Sequence, residues 1–204
     1  MSTTSTPPVT SHDAQDSIES RILDAALVQF ERLGVKKTTI EDVARQAGVD
    51  RVTVYRRVGS RDDLVQAVVS REVGVVLTEL SRIVERHSEI GDLVADIFTT
   101  VLTMWREHPL ARRLLALEPE RVITKLTTEG AAVFAMTVAA TASTLERATE
   151  RGLLPEIPDL HTRAEVACRV VHSLILAPDG GVRLDTEAEL AAFAKTYLLP
   201  IIAG

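Results

Sequence analysis

The chain has 204 residues, 46% of them hydrophobic, 25% charged and 3% aromatic, which is enough apolar material for a substantial core without disulfides or cofactors. Eight Pro and ten Gly are too few turn formers for an all-β sandwich of this length, and the composition excludes collagen, coiled-coil rods and wholly disordered chains. A net charge of −6 discourages a nucleic-acid partner for the chain as a whole, but the charge is unevenly spread. From Ile18 to Asp63 there are nine Lys and Arg against eight Asp and Glu, a balance of +1, while Leu64 to Gly204 holds fourteen against nineteen, a balance of −5. Between Arg51 and Arg61 there are four arginines and no acid, so a polyanion would meet that stretch.

Residues 1–17 are mostly Ser, Thr, Pro and Asp, too poor in large apolar side chains to offset the entropy of ordering a backbone, and they read as a disordered arm. From Ile18 an apolar stripe of Ile18, Ile22, Ala25, Ala26, Phe30 and Leu33 predicts a helix that Gly34 ends. Thr38 and Thr39 precede Ile40, Val43, Ala44 and Ala47, which predicts a capped short helix closed by Gly48. Asp50 caps a third helix over Arg51–Arg57, ending at Gly59, and Ser60 caps a fourth from Arg61 to about Ser88. Further helices are predicted at Ile90–Glu107, Leu110–Leu117, Glu120–Thr128, Ala131–Arg151, His161–Ala177 and Thr186–Ile202, separated by Pro and Gly turns. No segment alternates with period two, so the expected fold class is all-α: a helix-turn-helix domain over 18–66 and a helical domain over 67–204.

A lone Cys168 forms no internal disulfide and suits a reducing compartment, and the N-terminus has no basic start followed by an apolar stretch. Gly130 to Leu145 is uncharged and apolar but shorter than the roughly 20 residues a membrane span needs. A cytoplasmic protein without a membrane partner is therefore expected.

The segment TIEDVARQAGVDRVTVYRRV places two short helices around a glycine turn. Ile40, Val43, Val54 and Val58 supply the apolar contact, Ala44 allows a close crossing, and Gly48 can take positive φ, which together describe a helix-turn-helix. With Val54 and Val58 inward, Arg51, Val52, Thr53, Tyr55, Arg56 and Arg57 are expected at the surface of the second helix. Arginine reads guanine O6 and N7 in a major groove, and hydroxyls reach phosphates. Arg61, opening the next helix, is expected to grip a phosphate.

On these residues, 18 to about 66 resemble the DNA-binding domain of the tetracycline-repressor (TetR) family of bacterial transcriptional regulators. The match lies in Ile22 to Phe30, in LGVKKTTIEDVARQAGV, in TVYRRV and in SRDDL. The resemblance implies that Thr39 caps the second helix beside a phosphate, that Arg51, Val52, Thr53, Tyr55 and Arg57 lie on the recognition face, and that Arg61 is a phosphate clamp. Val58 departs from the Phe that many members carry. The resemblance further implies a C-terminal domain that dimerises through its last two helices and binds a small effector among the others. Stripes at interface-like spacing are Ala164, Cys168, Val171 and Ile175, and Leu190, Phe193, Tyr197 and Ile201. Phe98, Leu102, Trp105, Phe134 and Val138 are candidate pocket residues, with plain core packing as the competing reading.

Cys168 and His172, four apart on one helix, make only half a metal site, and a buried thiol beside a hydrogen-bonded histidine is the simpler reading. No nucleophile with a base, no paired acids and no HExxH or CxxC spacing is found. The expectation is a non-enzymatic homodimeric regulator, with no cofactor and no metal, that binds a palindromic DNA operator and is released by a small-molecule effector. The alternative is a small-molecule-binding helical protein or enzyme in which the N-terminal motif is only structural.

Overall fold

A computed structural model describes residues 11–204 in backbone and, from Ile18 onward, in side chains. Among these residues every regular element is helical, and the all-α fold expected from the sequence is the one observed. The elements are α1 (Ser11–Leu33), α2 (Ile40–Ala47), α3 (Arg51–Val58), α4 (Arg61–Ile83), α5 (Ile90–Glu107), α6 (Pro109–Leu117), α7 (Pro119–Leu126), α8 (Ala131–Glu150), α9 (Leu160–Leu176), α10 (Glu187–Phe193) and α11 (Leu199–Ala203). Two compact units result, one up to Ser70 and one over Arg71–Gly204, divided within α4. The expected arm lies partly outside the described residues, at 1–10, while the backbone of 11–17 is the start of α1. There the helix runs ahead of the apolar stripe, as backbone hydrogen bonds allow once later turns are packed.

In the first unit α1 packs on α2 and α3. Ile22 and Ala26 are fully buried and Phe30 nearly so, which is the predicted stripe. Gly34 takes positive φ, and its N–H bonds the Phe30 carbonyl. Thr39 and Asp42 form a reciprocal capping box on α2: the Asp42 N–H donates to Thr39 Oγ1 at 3.2 Å and the Thr39 N–H donates to Asp42 Oδ2 at 3.1 Å. The α2 end is a left-handed Gly48 at φ 66°, after which the Val49 N–H returns to the Ala44 carbonyl at 3.0 Å. Asp50 Oδ1 then caps α3 by accepting from the Thr53 N–H at 2.7 Å. Ser60 and Asp63 repeat the reciprocal cap on α4.

The second unit gathers its core from α5, α8, α9 and the C-terminal run, with Leu93, Phe98, Leu102, Leu145, Ala164 and Leu190 at the centre. Burying each large side chain stabilises the fold by about 1.5–3 kcal/mol. Pro109 and Pro119 open α6 and α7, where a missing N–H costs nothing. Gly130 makes the turn into α8, where an added Cβ would fall 2.4 Å from the Lys125 carbonyl oxygen.

Two elements differ from the sequence reading. The fourth helix stops at Ile83 and passes through a 3-10 turn, Val84–Arg86, instead of continuing to Ser88. The arginines of α8 account for this, because Arg147 donates to the Ser81 carbonyl at 3.1 Å and Arg151 donates to that of Val84. Those carbonyls are satisfied without further helix. The final helix, expected unbroken, carries a π turn over Ala194–Leu198. Pro200 has no N–H, and its ring conflicts with the carbonyl four residues earlier, so the wider turn relieves the clash.

Candidate nucleic-acid interface

Val54 anchors α3, fully buried among the α1–α2 contacts, and the rest of that helix is arranged around it. Arg51, Val52, Tyr55 and Arg56 are exposed, Val52 at 72% and Tyr55 at 47%. Thr53, Arg57 and Val58 are half-buried at its flanks. Four residues at steps of one, three and one along an eight-residue helix thus form an outward ridge with two guanidinium groups, a phenol and a branched apolar side chain. Such a ridge can contact base edges, phosphates and the thymine methyl.

Local chemistry fixes the orientation of the ridge. The Arg51 Nε lies 3.5 Å from Glu41 Oε2 of α2, with both side chains mostly exposed, so this pair is weak and readily exchanged for a phosphate or a base. The Thr53 hydroxyl donates to Asp50 Oδ2 at 3.0 Å, which commits it to the cap. The Thr39 hydroxyl likewise donates to Asp42 Oδ2 at 2.6 Å and accepts from its N–H. The Arg57 Nε is shielded from solvent and makes no hydrogen bond within the protein. Asp42, Asp50 and Asp63 have carboxyls held below the ordinary value of 3.8. The leading cause is the Thr39 side-chain hydrogen bond for Asp42, the Thr53 backbone N–H for Asp50 and the Ser60 side-chain hydrogen bond for Asp63.

Arg61 sits differently from its expected place as a phosphate clamp. Its Nε donates to the Thr38 carbonyl at 3.2 Å, and a terminal nitrogen donates to the Val35 carbonyl, so its guanidinium fastens the α1–α2 connection. Arg21 plays a similar part: it donates to the Ala47 carbonyl at 2.5 Å, at the end of α2 beside Gly48. The sequence reading missed Arg21, since its acceptor is a backbone group 26 residues away, and no local pattern marks such a bond.

In the second unit, Phe98 and Leu102 lie in the core, with the Phe98 ring stacked on Phe193 at 5.4 Å. Val138 is buried, while Trp105 and Phe134 are half-buried. Phe134 meets the His172 ring at 5.5 Å and the Arg169 guanidinium at 5.1 Å. The His172 Nε2 is shielded without a partner, contrary to the hydrogen-bonded histidine expected there. Among the candidate interface residues, Ala164, Cys168 and Leu190 are buried within this chain, where a second copy cannot reach them. The reason is that their stripes face α8 and α5, and the Cys168 thiol donates to Thr141 Oγ1 at 3.4 Å. Burial pushes that thiol's pKa up, which makes it a poor nucleophile. Val171, Ile175, Phe193 and Ile201 are half-buried against the core, and Tyr197 is 58% exposed. No group of three or more potential metal ligands is found among the described residues, and no single helix is long and apolar enough to cross a membrane.

Residues 22–68 match the family model described as "Bacterial regulatory proteins, tetR family", a span that covers the capped helices and the ridge. An uncharacterised HTH-type transcriptional regulator, YfiR of Bacillus subtilis (strain 168), is 24% identical over 119 residues, which make up 50% of this chain and 58% of that one. The match therefore spans little more than half the length of that relative. Among solved structures, the TetR-family repressor AlkX of Dietzia sp. strain DQ12-45-1b, implicated in biodegradation of n-alkanes, superposes with a TM-score of 0.69 at 20% identity, covering 90% of this chain and 94% of AlkX. RolR, solved in complex with resorcinol, superposes with a TM-score of 0.64 at 14% identity, covering 94% of this chain and 90% of RolR. These likenesses extend the shared fold over both units. With the family model seated on helices whose caps and outward ridge form a helix-turn-helix, residues 22–68 carry the domain described for the tetR family of bacterial regulatory proteins, and the chain as a whole shares the fold of TetR-family structures such as AlkX.

Proposed function

We propose that this protein is a non-enzymatic repressor that binds a near-palindromic operator as a homodimer and leaves it when a small molecule occupies the Arg71–Gly204 unit. The observation that carries the proposal is the α3 ridge, with Val54 fully buried and Arg51, Val52, Tyr55 and Arg56 exposed. A repressor role and a small-molecule effector are supported by the solved fold relatives AlkX, a repressor, and RolR, which holds resorcinol. Two copies of the ridge reading half-sites about one helical turn apart follow from the docking geometry of helix-turn-helix dimers. The partner copy is proposed on the outer face of α8 and α9, where Ala132, Ala135, Met136 and Ala139 are exposed beside Val166 and Leu176. Small side chains there permit close helix approach. The effector acts by population shift, preferring the state whose two ridges do not fit successive grooves. The site of action is the bacterial cytoplasm, where the chromosome lies.

Arg51→Ala combined with Tyr55→Phe tests the ridge in a duplex-binding assay at fixed salt. The pair should weaken binding and relax base preference, with a bidentate arginine contact accounting for about 1–3 kcal/mol of discrimination. Unchanged affinity and preference would remove the ridge from the interface.

A further inference from the structure

The loop between α1 and α2 is held by hydrogen bonds from its own Thr38 and from Arg61 of α4. The Thr38 side chain is buried, and its hydroxyl donates to the Gly34 carbonyl at 2.8 Å and reaches the Gln29 carbonyl at 3.3 Å. The Thr38 N–H closes a turn onto the Val35 carbonyl at 3.2 Å, and Val35 itself is 1% exposed. Arg61 crosses from α4 to hold the carbonyls of both Val35 and Thr38. Between these two anchored residues stand Lys36 and Lys37, both exposed, with Thr38 separating them from the Thr39 cap of α2. The bonds thus brace the backbone that carries two adjacent lysines, on the same unit as the α3 ridge.

Two cations on a braced turn lose less backbone entropy on meeting a polyanion than two on a free loop, which is the advantage of preorganisation. Ammonium groups act on phosphate as point charges and carry little base information. Resting on the DNA-binding reading above, we propose that Lys36 and Lys37 form a second contact with the duplex, made to backbone phosphates, and that Arg61 is the positioning residue that holds them there. The division of labour follows: the ridge chooses bases, and the braced lysines add affinity that falls with salt.

The test uses the full-length protein and a duplex of random sequence, with affinity measured across a salt series and base preference recovered from a randomised duplex pool. Each lysine that neutralises a phosphate contributes about 0.9 to the slope of log affinity against log salt. Lys36→Gln with Lys37→Gln should therefore flatten the slope by up to about 1.8 and leave base preference unchanged. Arg61→Gln should flatten it partially, and adding Arg61→Gln to the lysine pair should flatten it no further, an outcome a merely structural arginine would not give. Lys36→Arg with Lys37→Arg should retain the slope. An unaltered slope in the Gln pair would overturn the proposal, as would an additive loss in the triple variant for the Arg61 part. The lysines are exposed, so the Gln pair tests the contact even where Arg61→Gln fails to fold. If the unaltered protein binds no duplex, the DNA-binding reading falls and this one with it. If Arg51→Ala loses base preference while the Gln pair keeps the full salt slope, only this inference falls.

Discussion

The two units begin their helices by different means. In the first, three successive helices carry caps made by neighbours three residues apart: Thr39 with Asp42, Asp50 with Thr53, Ser60 with Asp63. In the second, helices begin at Pro109 and Pro119 without side-chain caps, and long-range arginines meet carbonyl groups: Arg106 that of Leu184 at 2.6 Å, Arg147 that of Ser81, Arg151 that of Val84. Thr186 with Glu189 is the second unit's exception, a full capping box on α10. Local caps fix the angle at which each short helix leaves the last, which a rigid reading head needs. Long-range arginines serve both units, Arg21 and Arg61 in the first as Arg106, Arg147 and Arg151 in the second, so the difference lies in the run of local caps.

This contrast can be strained first at the core. Phe98→Ala should destabilise the second unit by about 3–5 kcal/mol through lost burial and the cavity left against Phe193. The chain has one tryptophan, Trp105, on α5, so its fluorescence follows this unit during denaturation. A shift much smaller than about 2 kcal/mol would mean that the site relaxes and that Phe98 is not a keystone of the core.

A smaller effect is expected at the turn of the reading head. Gly48→Ala forces a left-handed backbone on a residue with a Cβ, at about 1–2 kcal/mol, and sets that Cβ 3.3 Å from the Arg21 guanidinium. Hydrogen-exchange protection in α2 and α3 should fall while the Trp105 transition stays in place. Loss of protection in α8 and α9 instead would contradict the assignment of this glycine to the first unit alone. Thr39→Ala removes a reciprocal cap and should cost about 1 kcal/mol by the same readout.

The smallest effect concerns acid and salt. Asp42, Asp50 and Asp63 have depressed carboxyl pKa values, so their contribution is fully present above the unfolded value of about 3.9 and is lost as pH falls through the folded values. In the second unit Asp92 is held down first by its hydrogen bond from Lys195, Glu129 by that from Lys125, and Asp159 by that from Arg163. Exposed ion pairs are screened by salt, whereas caps made by neutral hydroxyl and amide donors are not. Asp42 also pairs with Arg45 at 2.5 Å, so the salt-independent caps are those of α3 and α4, where hydrogen exchange below pH 4 should rise by the same factor in low and high salt. A strong salt dependence at those amides would show that ion pairs, not caps, stabilise the first unit there.

The reading head was legible because its signals are short-range: a glycine after an apolar stripe, a threonine or aspartate three residues ahead of its acceptor partner. The ridge followed from Val54 and Val58, since placing them inward turns Arg51, Val52, Tyr55 and Arg56 outward, while Thr53 and Arg57, expected beside them at the surface, are half-buried. Arg61 could not be placed, because an arginine that satisfies carbonyls 23 and 26 residues away reads like any surface cation. The same blindness hid Arg21 and the early stop of α4. Apolar stripes in the second unit named helices correctly but not what they face, so Ala164, Cys168 and Leu190 read as a seam between copies when they pack within one chain. Periodicity reports that a face is buried and leaves open against what.

The central claim is that α3 presents a base-reading ridge to duplex DNA. Its most direct test is to select duplexes from a random pool with the full-length protein and compare the enriched sequences. The account predicts one short motif repeated in inverted orientation, its halves centred about one helical turn or a small multiple apart. Enrichment of no motif, or retention of every duplex alike, would contradict it.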